Sequence, residues 1–162
     1  MTATKTASVA PAGRPRRNRE TDRMKAIKEY ADSVGLRLLR FNPTAPPIIR
    51  DGKRIMRRGS FNAPGVADFV GFCPGGRFIA IEVKEIDGDV SDEQALFLDG
   101  VTAAGGIALI AYTPVDVARL ANEARASGSW YGVRSPYSLP HDYRLKLVLK
   151  LDAKRAKQAR RK

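Results

Sequence analysis

The chain has 162 residues, 43% of them hydrophobic, and carries a formal net charge of +12 with a pI near 10.3. That length suits one domain with tails, that apolar fraction suits a buried core, and that charge asks for an anionic partner, with nucleic acid ahead of an anionic membrane or an acidic protein. A single cysteine, Cys73, excludes a disulfide framework and a cysteine-rich zinc site; with no signal-like leader and no apolar run near the roughly 20 residues that cross a bilayer, the expectation is a soluble, cytoplasmic protein without a membrane partner.

Residues 1–18 are Ala, Thr, Pro and Arg without periodicity, and read as a disordered basic tail. From Arg19 to Val34 the apolar residues Met24, Ile27, Tyr30, Ala31 and Val34 recur at helical spacing, and Gly35 stops the helix. Glu20 falls in the first turn, where an acid offsets the helix dipole; an alternative role is a further acid reaching a site. Leu36 to Phe41 reads as a short strand. Ile48 to Ile55 reads as a hairpin turning at Asp51-Gly52, and with its flank it presents Arg50, Lys53, Arg54, Arg57 and Arg58. Those five cations are either a phosphate clamp or a solvated loop. Pro64-Gly65 then leads into the next strand, with Gly65 serving a turn or a close approach of substrate backbone.

The centre of the chain is a second hairpin. Ala67 to Phe72 and Ile79 to Lys84 are strand-like runs separated by Pro74-Gly75-Gly76. Centring the turn on Gly75 sets Cys73 opposite Arg77 and Asp68 opposite Glu82. Residues opposed in an antiparallel pair share a face about 4.5–5.5 Å apart. In Ile81-Glu82-Val83-Lys84, period-two alternation turns Glu82 and Lys84 to one face and Val83 to the other. Two carboxylates so close repel unless a cation lies between them, and a divalent metal with oxygen ligands is the natural one. The plainer reading is a surface hairpin with an ordinary Glu–Lys pair.

Ser91 has the character of an N-cap, and Gln94 completes a capping box for a helix running to about Ala104, which Gly105-Gly106 ends. Gln94 also lies one turn into that helix, just after the Glu82–Lys84 strand, where its amide can reach back to a metal-bound water or a phosphate; the cap is the simpler account. Ile107 to Tyr112 reads as a buried strand, and Thr113-Pro114 opens a helix to about Ala126. Strand, helix, strand, helix is an α/β arrangement. Ser127 to Asp142 is irregular, with Trp130, Tyr131 and Tyr137 expected to pack over the core rather than stack on bases. Tyr143 to Leu151 alternates as a final strand, and Lys154 to Lys162 form a basic tail. His141, the one histidine, has no metal-site companion. No Gly-rich phosphate loop supports nucleotide hydrolysis. The organisation expected is thus 1–18 tail, 19–126 core domain, 127–151 extension packed on the core, and 152–162 tail.

The order Glu20 on a helix, Gly65-Val66-Ala67-Asp68, Ile81-Glu82-Val83-Lys84, Ser91 with Gln94, then Gly105-Gly106 and a strand resembles the VRR-NUC domain, a branch of the PD-(D/E)XK nuclease superfamily, over about Glu20 to Leu120. The resemblance implies a restriction-endonuclease-like αβββαβ core, α/β in class, with a mixed central sheet flanked by helices and basic disordered tails. It implies that Asp68, Glu82 and the backbone carbonyl of Val83 hold Mg2+, with Mn2+ as a substitute. Lys84 would activate the attacking water, and Glu20 and Gln94 would correspond to the family's helix acid and helix glutamine. One departure is Ala67, where the family pattern has proline before the aspartate. The activity implied is Mg-dependent endonucleolytic cleavage of DNA, selective for junctions, flaps or nicks, in phage-type replication, recombination or repair. A homodimer is an expectation by analogy with small nucleases that cut two strands. The competing class is a non-catalytic nucleic-acid-binding module that relies on the basic hairpin and tails.

Overall fold

A computed structural model describes residues 16–41, 48–51, 53–55 and 65–160. Helix α1 (Arg16–Ser33) leads to β1 (Arg37–Arg40), a small hairpin of β2 (Ile48–Arg50) and β3 (Lys53–Ile55), and then the central pair β4 (Phe69–Phe72) and β5 (Phe78–Val83). After these come α2 (Asp92–Ala103), β6 (Ile107–Ala111), α3 (Pro114–Ser127), a 3-10 turn at Trp130–Gly132 and α4 (His141–Ala159). Four strands form one mixed sheet in the order β1-β4-β5-β6, antiparallel except for the parallel pair β5–β6. The protein is therefore an α/β chain with an open mixed sheet, and α2 is the crossover that a parallel pair requires.

Alternation along β5 divides the core. Ile79, Ile81 and Val83 point to a face covered by Met24, Ile27 and Ala31 of α1 and Val117, Leu120 and Ala121 of α3. Ala80 points to the opposite face, where Ala67 and Ala108 also lie and where Leu98 and Val101 of α2 pack. Small residues on that face let α2 sit close to the sheet, and Glu82, the next β5 residue on the same side, comes under its first turn. Trp130 belongs to the α1/α3 side of the core and is 9% exposed. Arg77 ties the segment that follows α3 to the sheet by donating from Nη1 to the carbonyls of Trp130 and Val133, each at 2.7 Å, and from Nε to that of Gly105 at 2.8 Å.

The β4–β5 register pairs Phe69 with Ile81 and Phe72 with Phe78, and the Cys73 amide donates to the Arg77 carbonyl at 2.8 Å, as a turn centred on Gly75 requires. Gly71 lies where β1 crosses β4: a Cβ there would stand 1.9 Å from the Arg37 carbonyl oxygen. Gly71→Ala is expected to cost about 3 kcal/mol of stability, read as a lowered urea midpoint; an unchanged midpoint would mean that β1 yields without cost. Gly65 has φ +90°, and a Cβ there would stand 2.3 Å from the Glu93 carbonyl carbon. The backbone that approaches Gly65 closely is the first turn of α2.

Three sequence expectations need correction. Residues 143–151 are not a strand but part of α4. The alternating leucines mislead because burial follows helical spacing: Leu147 and Leu151 are 3% and 5% exposed, whereas Leu145 and Leu149 are 51% and 70% exposed. Good helix formers continue the segment to Ala159, so residues 152–159 are helix rather than tail. Helix α1 begins at Arg16, so residues 16–18 are helical, and Glu20 is past the first turn, where the dipole no longer accounts for it. The rest of the expected N-terminal tail, residues 1–15, lies outside the described residues. Among the described residues no helix is long and apolar enough to cross a membrane.

Candidate functional site

The site forms where β4 begins and β5 ends. The Phe69–Ile81 pair extended by one residue sets Asp68 opposite Glu82 on the α2 face, and the ladder with β1 reaches Asp68 as well, since the Phe41 amide donates to the Asp68 carbonyl at 2.8 Å. Asp68 Oδ2 accepts from the Val83 amide at 2.9 Å, which fixes that carboxylate against the end of β5. In an extended strand a residue's N–H and C=O point toward the same neighbour. The Val83 carbonyl therefore faces the Asp68 edge, while the Lys84 amide turns the other way to the Ala111 carbonyl at 3.0 Å. The Val83 side chain is in the core.

Glu82 is 2% exposed. Its Oε1 takes the Lys84 ammonium at 3.0 Å and a hydrogen bond from Gln94 Nε2. Lys84 Nζ also donates to Gln94 Oε1 at 3.0 Å. Gln94 closes the expected capping box, its Oε1 accepting from the Ser91 amide at 3.0 Å, and its Nε2 also donates to Glu82, a contact its spacing did not specify. Glu82 Oε2 is buried and has no hydrogen-bond partner among the described residues. An unpaired buried carboxylate oxygen is costly.

Both carboxyls titrate above the ordinary range. Burial pushes Asp68 up, opposed by its bond from the Val83 amide and by the Lys84 charge. Burial also pushes Glu82 up, and the Asp68 charge adds to it against the Lys84 ammonium. Raised carboxyls mean that the metal-free folded chain binds more protons than the unfolded chain. Their stabilising contribution is full below the ordinary carboxylate range and is lost as pH rises through the raised values. Asp68→Asn keeps an acceptor for the Val83 amide and removes one charge. It is expected to raise the melting temperature of chelator-treated protein at pH 7 by about 2–4 °C, roughly 1 kcal/mol, with the gain shrinking toward pH 4; a gain that persists at pH 4 would contradict this.

Glu20 lines a cleft of about 230 Å³ together with Arg23, Val83 and Lys84. It is exposed, and its charge contributes to raising Asp68. Arg23 was not among the sequence candidates. Its Nη1 lies 3.4 Å from the Lys84 carbonyl and 3.8 Å from Glu85 Oε1, so it braces the chain just after β5. Its one sequence signal is a position three residues after Glu20, on the same helix face. Arg40 also acts on Asp68, lowering its pKa by charge. Of the five cations proposed for phosphate contact, Arg57 and Arg58 lie outside the described residues. The backbones of Arg50, Lys53 and Arg54 form the β2–β3 hairpin, with Asp51 in the left-handed region at φ 52°. The side chains of those three are outside the description, so the structure neither brings them to the site nor separates them from it.

No family model matches the chain, and no curated protein is found similar to it.

As a donor set the site offers two carboxylates and a backbone carbonyl; among the described residues no three His, Cys, Asp or Glu side chains converge. Hard oxygen donors suit Mg2+, which keeps several of its waters. The buried Glu82 Oε2 without a partner, on a carboxyl that feels the Asp68 charge, fits such an ion. Cys73 is buried in the core, with its thiol pushed up to about 11 by burial, and His141 is exposed at the start of α4; neither belongs to the site.

Proposed function

We propose that this protein is a magnesium-dependent DNA endonuclease with a restriction-endonuclease-like core of the VRR-NUC type. The observation that carries the reading is the pairing of Asp68 with Glu82 beneath α2, where a buried Glu82 oxygen has no partner and the Lys84 ammonium stands 3.0 Å from its other oxygen. The element order supports it: with the β2–β3 hairpin set aside, the chain runs α1, β1, β4, β5, α2, β6, the αβββαβ sequence of that fold.

When bound, Mg2+ polarises a phosphate oxygen and lowers the pKa of a coordinated water. Asp68, Glu82 and the Val83 carbonyl would hold the ion. Asp68 is pre-oriented by the Val83 amide, and Glu82 by Gln94 and Lys84. Lys84 Nζ sits between Glu82 Oε1 and Gln94 Oε1, 3.0 Å from each. A compact ammonium there can exchange a proton with the attacking water and offset charge on the phosphate, which an always-charged guanidinium cannot do in the same way. Glu20 and Arg23 line the same cleft as Lys84 and would shape the approach of the substrate. The net charge of +12 draws the DNA.

The test is cleavage of junction, flap, nicked and linear duplex DNAs by purified protein, with Mg2+ and with a chelator. Metal-dependent cuts in any of them support the reading. Tight binding to all of them with no cut to any would leave a binding module.

A further inference from the structure

We propose that α4 carries a track for a nucleic-acid backbone, a flank made by Lys146, Lys150, Lys154 and Lys157 that runs to the first turn of α2. The choice of nucleic acid among anions rests on the function proposed above. The segment 141–159 holds six Lys or Arg against two Asp. Leu147 and Leu151 face inward and fix the orientation of the helix. At about 100° per residue, spacings of four, four and three set the four lysines along one flank beside that buried seam. The exposed Leu145 and Leu149 lie on a different side.

Two of the lysines mark where the track leads. Lys150 pairs with Asp92, and Lys154 Nζ lies 3.0 Å from Glu93 Oε1. Asp92 and Glu93 immediately precede Gln94, which bonds Glu82 and Lys84 in the site. Both lysine side chains stay open to water, 67% and 60% exposed, beside acids that are 27% and 23% exposed, so each ammonium keeps a solvent side on which it can also meet a phosphate. Lys146 and Lys157 are exposed and have no ion pair among the described residues. From Lys146 to Lys157 the flank is about 17 Å long at ~1.5 Å per residue, which is the axial length of about five phosphates on one strand of B-DNA.

The experiment measures binding of the full chain to a labelled duplex in chelator, by fluorescence anisotropy over a range of salt. Lys146→Ala with Lys157→Ala touches neither the site nor the α2–α4 ion pairs. It is expected to lower the slope of log affinity against log salt by about two and to weaken binding about tenfold near 0.1 M salt. The control pair Arg119→Ala with Arg125→Ala, on α3, is expected to leave the slope unchanged. An unchanged slope for the α4 pair, or an equal fall for the α3 pair, overturns the track. The readout needs no cleavage: a lowered slope for the α4 pair alone, in a protein that cuts nothing, keeps the track and removes the nuclease reading.

Discussion

Asp68→Ala is expected to lower Mg-dependent DNA cleavage about a thousandfold or more, with duplex binding within about twofold of the unmodified protein. The two effects separate because they arise in different places. On the proposed function, attraction to DNA would come from the +12 net charge, which this change leaves basic. Ion binding needs oxygens on both sides of the β4–β5 gap, and Asp68 is the only carboxylate that β4 brings opposite Glu82. Glu82→Gln is the companion change. It keeps side-chain volume in a buried position and leaves acceptors for Gln94 and Lys84, so lost cleavage would not be lost folding. Quantified product formation, with circular dichroism and anisotropy on the same samples, checks both variants. Cleavage that persists in both would remove the acids from the chemistry.

Lys84→Ala is expected to reduce cleavage by about 10²–10⁴-fold. Without the ammonium at 3.0 Å, the buried Glu82 loses its cationic donor and keeps the neutral Gln94 amide. Its carboxyl should then titrate still higher, because burial and the Asp68 charge lose their main opponent. Residual cleavage should therefore need a higher pH than in the unmodified protein. Lys84→Arg should not restore the rate, since a planar guanidinium neither fits between Glu82 and Gln94 nor gives up its proton. Rate–pH profiles at saturating Mg2+ check this. An Arg variant as fast as the Lys protein would make residue 84 a counter-ion only.

The β4–β5 hairpin was legible in the sequence because two independent signals agree there. The Gly75 turn fixes the register, and alternation along Ile79–Lys84 fixes the face, so local pattern alone brings Asp68, Glu82 and Lys84 together. Ser91 and Gln94 were legible for the same reason: a capping box is local. That Gln94 also closes the site depends on α2 lying close over Ala67, Ala80 and Ala108, a tertiary fact that no local pattern carries. The segment 143–151 was misread because four leucines at period two imitate a strand. What decides it is burial against α2 at Leu147 and Leu151 and the pairing of Arg144 with the buried Asp99. Arg23 escaped because bracing the Lys84 carbonyl from across the sheet leaves no trace in spacing beyond its offset from Glu20.

The central claim is that Asp68 and Glu82 grip one divalent ion. Crystals grown with saturating Mn2+ and measured at the manganese absorption edge test it directly. The account predicts an anomalous peak between the two carboxylates, at about 2.0–2.3 Å from an oxygen of each, that disappears in Asp68→Ala. A cleaving protein whose only manganese peak lies elsewhere would contradict it.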